Sequence, residues 1–306
     1  MTKVAFANFV WAGRNQKKNV TRVSQKIMSS KRLLSPWKDS VEKPAIYHCL
    51  SRVVDRRFVF GDVEREHFRM LMRMQENFSG CRVLSYCIMS NHFHVLLEVP
   101  PMPEGGISDA ELLKRLGAIH TEAFVAGVAK ELAEARAQER EEWVAEIHSR
   151  FTYRMHDLSE FMKTLLQRFT RWFNRTHQRS GTLWEDRYKS VIVESGIAAR
   201  TMAAYIDLNP VRAGMVKDPA EYRWSSYGEA VGGGSKGNGK KAREGLVRAT
   251  LSHEGVGFEV ERWKEGGADL PAGDGTGASA EEWPGRSRKR SDEAADGYSG
   301  SACSRD

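Results

Sequence analysis

The apolar positions of this chain change period along its length, and the changes mark out its elements. Pro44-Ala45-Ile46-Tyr47-His48-Cys49-Leu50 reads as a short strand. Asp62 then opens a predicted helix to about Asn77, with Phe68, Leu71, Met72 and Phe78 on helical spacing. Cys81 to Ile88 and Val95 to Leu97 predict two strands joined by a turn at Ser90-Asn91. Pro100-Pro101-Met102-Pro103-Glu104-Gly105-Gly106 breaks the pattern. From Ser108 to about Ile147 the pattern is helical but crowded with Glu, Arg and Ala, with one stripe at Leu112, Leu113, Leu116 and Ile119. We read it as an inserted helical arm, about residues 101–156. Asp157-Leu158-Ser159-Glu160 resembles a capping box and starts a stronger helix through Phe161, Met162, Leu165, Leu166, Phe169, Trp172 and Phe173. Thr182 to Val193 predicts one or two strands, and Ser195 is the expected cap of a helix to about Leu208. This order predicts an α+β sandwich with helices on one sheet face.

Composition refines the boundaries. Residues 1–43 hold ten Lys or Arg against Asp39 and Glu42, a local balance of +8 that accounts for the whole net charge of +7. Such a basic, flexible leader suits a polyanion, most often nucleic acid. Sixteen of the 27 glycines fall in residues 231–306, so this stretch reads as a Gly-rich, largely disordered tail. The folded unit is then expected over 44–230. No run of 18 apolar residues predicts a membrane span. Cys49, Cys81, Cys87 and Cys303 lack metal-site spacing and suit a reducing, cytoplasmic setting.

The candidate chemistry starts at Met89-Ser90-Asn91-His92-Phe93-His94-Val95-Leu96-Leu97. On a strand His92 and His94 share one face while Phe93 enters the core, so two imidazoles can hold a divalent cation. Two partly exposed strand histidines without a ligand are the plain alternative. In Met202-Ala203-Ala204-Tyr205-Ile206-Asp207-Leu208-Asn209-Pro210, Tyr205 and Asn209 are four apart, hence on one face if the helix continues. The Asn209 carbonyl could complete a two-His site for Mg²⁺ or Mn²⁺, and the Tyr205 phenol could attack phosphorus. Against this, Asn209 precedes a proline and could be a C-terminal cap, and Tyr188 is a rival nucleophile. Arg168, Arg171 and Arg175 on the strong helix, with Arg187 and Lys189 near Tyr188, are candidate DNA contacts or a solvated basic face.

Tyr47-His48-Cys49-Leu50-Ser51-Arg52, the His92 segment, Trp184-Glu185-Asp186-Arg187-Tyr188-Lys189-Ser190, Tyr205-Ile206-Asp207-Leu208-Asn209-Pro210-Val211-Arg212-Ala213-Gly214 and Trp224-Ser225-Ser226-Tyr227 follow one another in order. Over about residues 44–230 they resemble the single-tyrosine HUH transposases, specifically the REP-associated tyrosine transposase branch. The resemblance implies a ferredoxin-like antiparallel sheet with the His pair on a central strand. It also implies metal binding by His92 and His94 with help from Asn209, and a 5′-phosphotyrosine link through Tyr205. Single-stranded or hairpin DNA is the implied partner, and a homodimer is a second partner expectation from insertion-sequence relatives. Bacterial cytoplasm, with nucleoid association when DNA is bound, is the implied location. The leader and tail lie outside this likeness, and the arm is longer than a compact member of the family would need. A non-catalytic hairpin DNA or RNA binder is the alternative reading, and a zinc hydrolase drawing on His48 is a weaker one.

Overall fold

The computed structural model describes residues 43–233 and 237–250. The leader to residue 42 and the tail from residue 251 lie outside the described residues, so the expectations made for them are not addressed by it.

The chain runs β1 (Ala45–Arg52), α1 (Asp62–Ser79), β2 (Arg82–Ile88), β3 (His92–Val99), then α2 (Asp109–Leu116), α3 (Glu122–Ala137) and α4 (Glu141–Thr152). It continues with α5 (Leu158–Thr176), β4 (Lys189–Val193), α6 (Ile197–Asp207), α7 (Asn209–Arg212), α8 (Ser226–Gly232) and α9 (Gly237–Thr250). The sheet order is β2-β3-β1-β4 and each neighbouring pair is antiparallel, the ferredoxin-like arrangement of an α+β fold. β3 is therefore an interior strand.

Alternation along β3 divides the molecule into two layers. Phe93, Val95 and Leu97 point with Tyr47 and Cys49 into a core completed by Phe68 and Met72 of α1 and by Phe161, Leu165 and Phe169 of α5. These two helices form the expected layer on one face. A second layer, which the sequence pattern does not announce, covers the other face. There Ile46, Leu84, Leu96 and Val193 meet Ala199, Ala203 and Ile206 of α6, Ala230 of α8, and Ala242, Leu246 and Ala249 of α9.

Helix α9 carries regular structure past the boundary expected at residue 230, while the expected tail from residue 251 lies outside the described residues. Its Ala242, Leu246 and Ala249 make a short apolar stripe that glycine-rich neighbours mask in a compositional reading. Gly245 lets the helix lie directly on β2, because a Cβ there would stand 2.3 Å from the Val83 carbonyl oxygen. The contact is locked by charge. The buried Glu98 of β3 accepts from Arg248 of α9 at 3.0 Å and from Arg82 of β2 at 2.6 Å. A second buried carboxylate, Glu229 of α8, accepts from Arg73 at 2.6 Å and from the Tyr86 hydroxyl at 2.9 Å, tying α8 to α1 and β2.

Side-chain caps start several of the helices. Asp157 accepts the Glu160 N–H at 2.7 Å and caps α5. Ser108 and Thr121 cap α2 and α3 in the same way. Ser195 does not cap α6; Gly196, at φ 73° and ψ −126°, takes the N-terminal position with no side-chain bond. Helices α2 to α4 bury Leu112, Leu116, Val128, Leu132, Val144 and Ile147 against one another and against Phe78 of α1, a cluster separate from the two sheet layers.

Because Gly245 is in direct contact with β2 backbone, Gly245→Ala is expected to push α9 away and cost about 1–3 kcal/mol, as overpacking usually does. Thermal unfolding checks this, and an unchanged midpoint would show that α9 does not rest on the sheet as described.

Candidate active site

His92 and His94 stand on the face of β3 opposite Phe93, and β1 brings a third ring beside them. His48 Nε2 lies 2.9 Å from His94 Nδ1, and the two rings stack with centroids 5.1 Å apart. His92 and His94 meet edge to face, also at 5.1 Å. The register pairs Leu50 of β1 with both His94 and Lys189, which puts Lys189 on the same face as the histidines. Arg52 pairs with His92 across the strands.

All three rings are held neutral. Burial lowers His48 to about 4. Burial and then Arg52 lower His92 to about 4. Burial, followed by His48, His92 and Arg52, lowers His94 to about 3. At neutral pH each therefore keeps a nitrogen lone pair.

Neighbours determine which lone pairs are available. The Asn91 amide nitrogen donates to the Arg56 carbonyl at 2.9 Å, so its Oδ1 turns to His92 Nδ1 at 2.7 Å. That oxygen can only accept, so His92 carries its proton on Nδ1 and leaves Nε2 bare. If His94 likewise donates from Nδ1 to His48, its Nε2 is bare too. This is the orientation by outer partners that metal-binding histidines commonly show.

Helix α6 lays Tyr205 against this pair. Its ring is edge-on to His94 with centroids 6.2 Å apart, and the residue is 40% exposed. The Arg212 guanidinium lies 4.9 Å above the same ring. Small residues explain the close approach: Ala199 and Ala203 are the side chains α6 turns to the sheet. Asp207 pins the helix end, accepting the Tyr227 N–H at 2.9 Å and facing the Ser85 hydroxyl at 3.3 Å. Burial pushes the Asp207 carboxyl up to about 7 against the pull of these bonds.

Pro210 does not end the helical path, contrary to its usual effect on the preceding residue. Asn209 is the first residue of α7, and its amide nitrogen donates to the carbonyls of Tyr205 at 3.0 Å and Ile206 at 3.2 Å. Pro210 has no N–H to offer Ile206, and the Asn209 side chain takes its place. The cap reading of Asn209 is thus realised, while its Oδ1 remains for another role.

The expected site residues fall into separate groups. His92, His94 and Tyr205 come together, with His48 and Asn91 as partners that the motif reading did not assign. Arg187 and Lys189 line a cleft with Arg52 and Arg56 beside the histidine face. Arg168, Arg171 and Arg175 belong to α5, on the opposite side of the sheet. Tyr188 is buried and packs in the first core, which removes it from the position of an exposed nucleophile. Among the described residues no three His, Cys, Asp or Glu side chains form a metal-holding group. The donors that fit a cation are therefore His92 Nε2 and, when His94 donates from Nδ1 to His48, His94 Nε2, an open set that oxygen ligands would have to complete.

The neutral rings give a pH prediction. In the unfolded chain a histidine titrates near 6.5. The folded rings titrate at about 3 to 4, so between these values the unfolded chain binds more protons. Stability then rises with pH across that window and is lost as pH falls through it. In chelator, the stability gap between wild type and His94→Gln is expected to narrow as pH falls from about 7 to about 4.5. A gap constant with pH, measured by urea unfolding, would show that the ring is not held neutral by burial.

Residues 42–110, which span β1 to the start of α2, match the family model described as IS200-like transposase. No curated protein matches the chain. One similar solved structure is described as a REP-associated tyrosine transposase bound to a REP hairpin. It is 13% identical over 63% of this chain and 83% of that chain, with a TM-score of 0.38. No helix among the described residues is long and apolar enough to cross a membrane. The matched segment, which is similar to the IS200-like transposase family, carries the histidine strand and both of its sheet neighbours.

Proposed function

We propose that this chain is a transposase that cuts and rejoins single-stranded DNA by phosphodiester transesterification, with Tyr205 as nucleophile. The convergence of α6 on the histidine face carries the reading: an exposed phenol stands edge-on to a neutral imidazole whose neighbour shares its face. His92 and His94 would hold Mg²⁺ or Mn²⁺ through their Nε2 atoms, with Asn209 Oδ1 as the oxygen the chain can add. Such a cation, when bound, polarises the scissile phosphate and offsets charge developing on it.

The chain's own residues account for the remaining steps. The Tyr205 oxygen attacks phosphorus, the bond to the 3′ oxygen breaks, and a 5′-phosphotyrosine forms. The phenolic proton ends, on balance, on the departing 3′-hydroxyl. Rejoining is the reverse, a 3′-hydroxyl displacing Tyr205 from phosphorus. Asp207 holds the carboxyl end of α6, and Arg212 places a cation over the phenol ring where a phosphate would approach. Lys189 and Arg187 extend a basic surface from that side of the sheet. The motif order across residues 44–230 favours hairpin DNA of the REP type as substrate.

The test is a covalent protein–DNA adduct with a single-stranded hairpin oligonucleotide, resolved by denaturing electrophoresis with Mg²⁺, Mn²⁺ or chelator. Wild type is expected to form the adduct only with metal, Tyr205→Phe not at all, and His92→Ala or His94→Ala at a small fraction of wild type. Adduct at wild-type level from Tyr205→Phe sinks the nucleophile. Tight hairpin binding with no cleavage under any metal condition would leave the chain a binding module.

A further inference from the structure

Among the arginines of α2 to α4, Arg115, Arg136 and Arg150 each have a carboxylate. Arg115 pairs with Glu111 at 2.8 Å, Arg136 with Glu141 at 2.7 Å, and Arg150 with Glu131 at 2.6 Å. Against that background, Arg154 at the end of the arm stands out. It and Arg168 and Arg171 of α5 line one cleft of about 360 Å³, and among the described residues none of the three has an ion-pair partner. The one acid on the cleft wall, Glu160, is taken up by Lys163 at 2.9 Å.

Three cations so placed repel one another. Burial, and then Arg154 and Arg171, pull the Arg168 guanidinium below its usual range. The same cleft receives His120 from the turn after α2, whose Nε2 is shut away from solvent without a hydrogen-bond partner. Burial, then Arg154 and Arg168, lower the His120 pKa, so its neutral ring can donate from that nitrogen. Tyr153, 65% exposed, presents its ring at the rim. Fixed cations without counter-charge, an unsatisfied donor and an exposed aromatic are the elements of a groove for a single nucleic-acid strand.

We propose that α5 and the helical arm form a second DNA-binding cleft, in which Arg154, Arg168 and Arg171 take backbone phosphates and Tyr153 stacks on a base. The assignment to DNA rests on the strand-transfer reading above. The cleft lies on the α5 side of the sheet, away from Tyr205, so it grips DNA beyond the cleavage point. It also gives the arm a role: the arm supplies His120, Tyr153 and Arg154, and α5 alone would offer only a row of exposed arginines.

The experiment compares full-length wild type with Arg154→Gln/Arg171→Gln and with Tyr153→Ala. Arg140→Gln, elsewhere on the arm, is the charge-loss control. Fluorescence anisotropy measures binding of a long single strand and of a minimal strand carrying only the cleavage site, over a series of salt concentrations. For the long strand, the double variant is expected to bind about tenfold more weakly, with a salt slope shallower by about 0.7 per lost phosphate contact. Minimal-strand adduct formation should stay at the wild-type level, and the melting temperature should hold or rise because mutual repulsion is relieved. Equal affinity and slope in wild type and double variant overturn the cleft. So does tighter binding of the same-sequence RNA, or equally effective competition by polyglutamate, since either reassigns the occupant. Failure of the wild type to form adduct while the long-strand comparison still separates the variants overturns the catalytic reading and supports the cleft.

Discussion

An interior strand covered on both faces cannot leave a polar side chain without a partner, and β3 carries three such residues on one face. A lone buried charge or unpaired donor there would cost several kcal/mol. Each is answered by a different part of the chain. Glu98 is met by Arg82 and Arg248, His94 by His48, and His92 by Asn91. These pairings fix the second layer against the sheet at one end and the protonation of the histidines at the other. The ferredoxin-like frame thus supplies more than a platform: it gives each histidine of the pair a partner at Nδ1.

The two layers divide the work. On the α1 and α5 side, large aromatics interlock, as in the stacked Phe60 and Phe169 rings 5.2 Å apart. On the other side the helices contribute mainly alanines, with Ile206 and Leu246, and Ala199 and Ala203 let α6 lie close enough to bring Tyr205 to the His94 ring. The helix end is then held by polar bonds rather than by bulk, through Asp207 to the start of α8. Asn209 spares α6 the defect that Pro210 would leave. Tyr205, the proposed nucleophile, is thereby carried on an element seated on small side chains and anchored at one end.

Charge placement separates the two basic regions in kind as well as in position. Arg52 beside the histidines keeps Glu185 within 3.9 Å, a loose and exposed pair that gives little by itself. The three arginines between the arm and α5 have no such balance among the described residues. Inserting three helices after β3 therefore adds an electrostatic feature that the sheet alone does not possess, while the arm's own core keeps the insertion folded.

Period-two and period-3.6 patterns sufficed for β1 to β3, α1 and α5, because each of these elements buries one strongly apolar face. The His pair, Tyr205 and the capping role open to Asn209 were legible for the same reason, since residues on one element share a face at fixed spacing. His48 entered only through the weaker zinc-hydrolase reading, because its place beside His94 depends on the antiparallel register of two strands some forty residues apart. Helix α9 escaped because alanine and glycine at a helix–sheet contact look like low-complexity chain until a backbone is found against them. The grouping of Arg168 and Arg171 with Arg154 escaped because Arg154 lies on a different element from α5. What the sequence determined by itself was therefore the chemistry available on each element. Which groups would meet, and in which protonation state, was decided by strand register and by burial, long-range properties that no local pattern encodes.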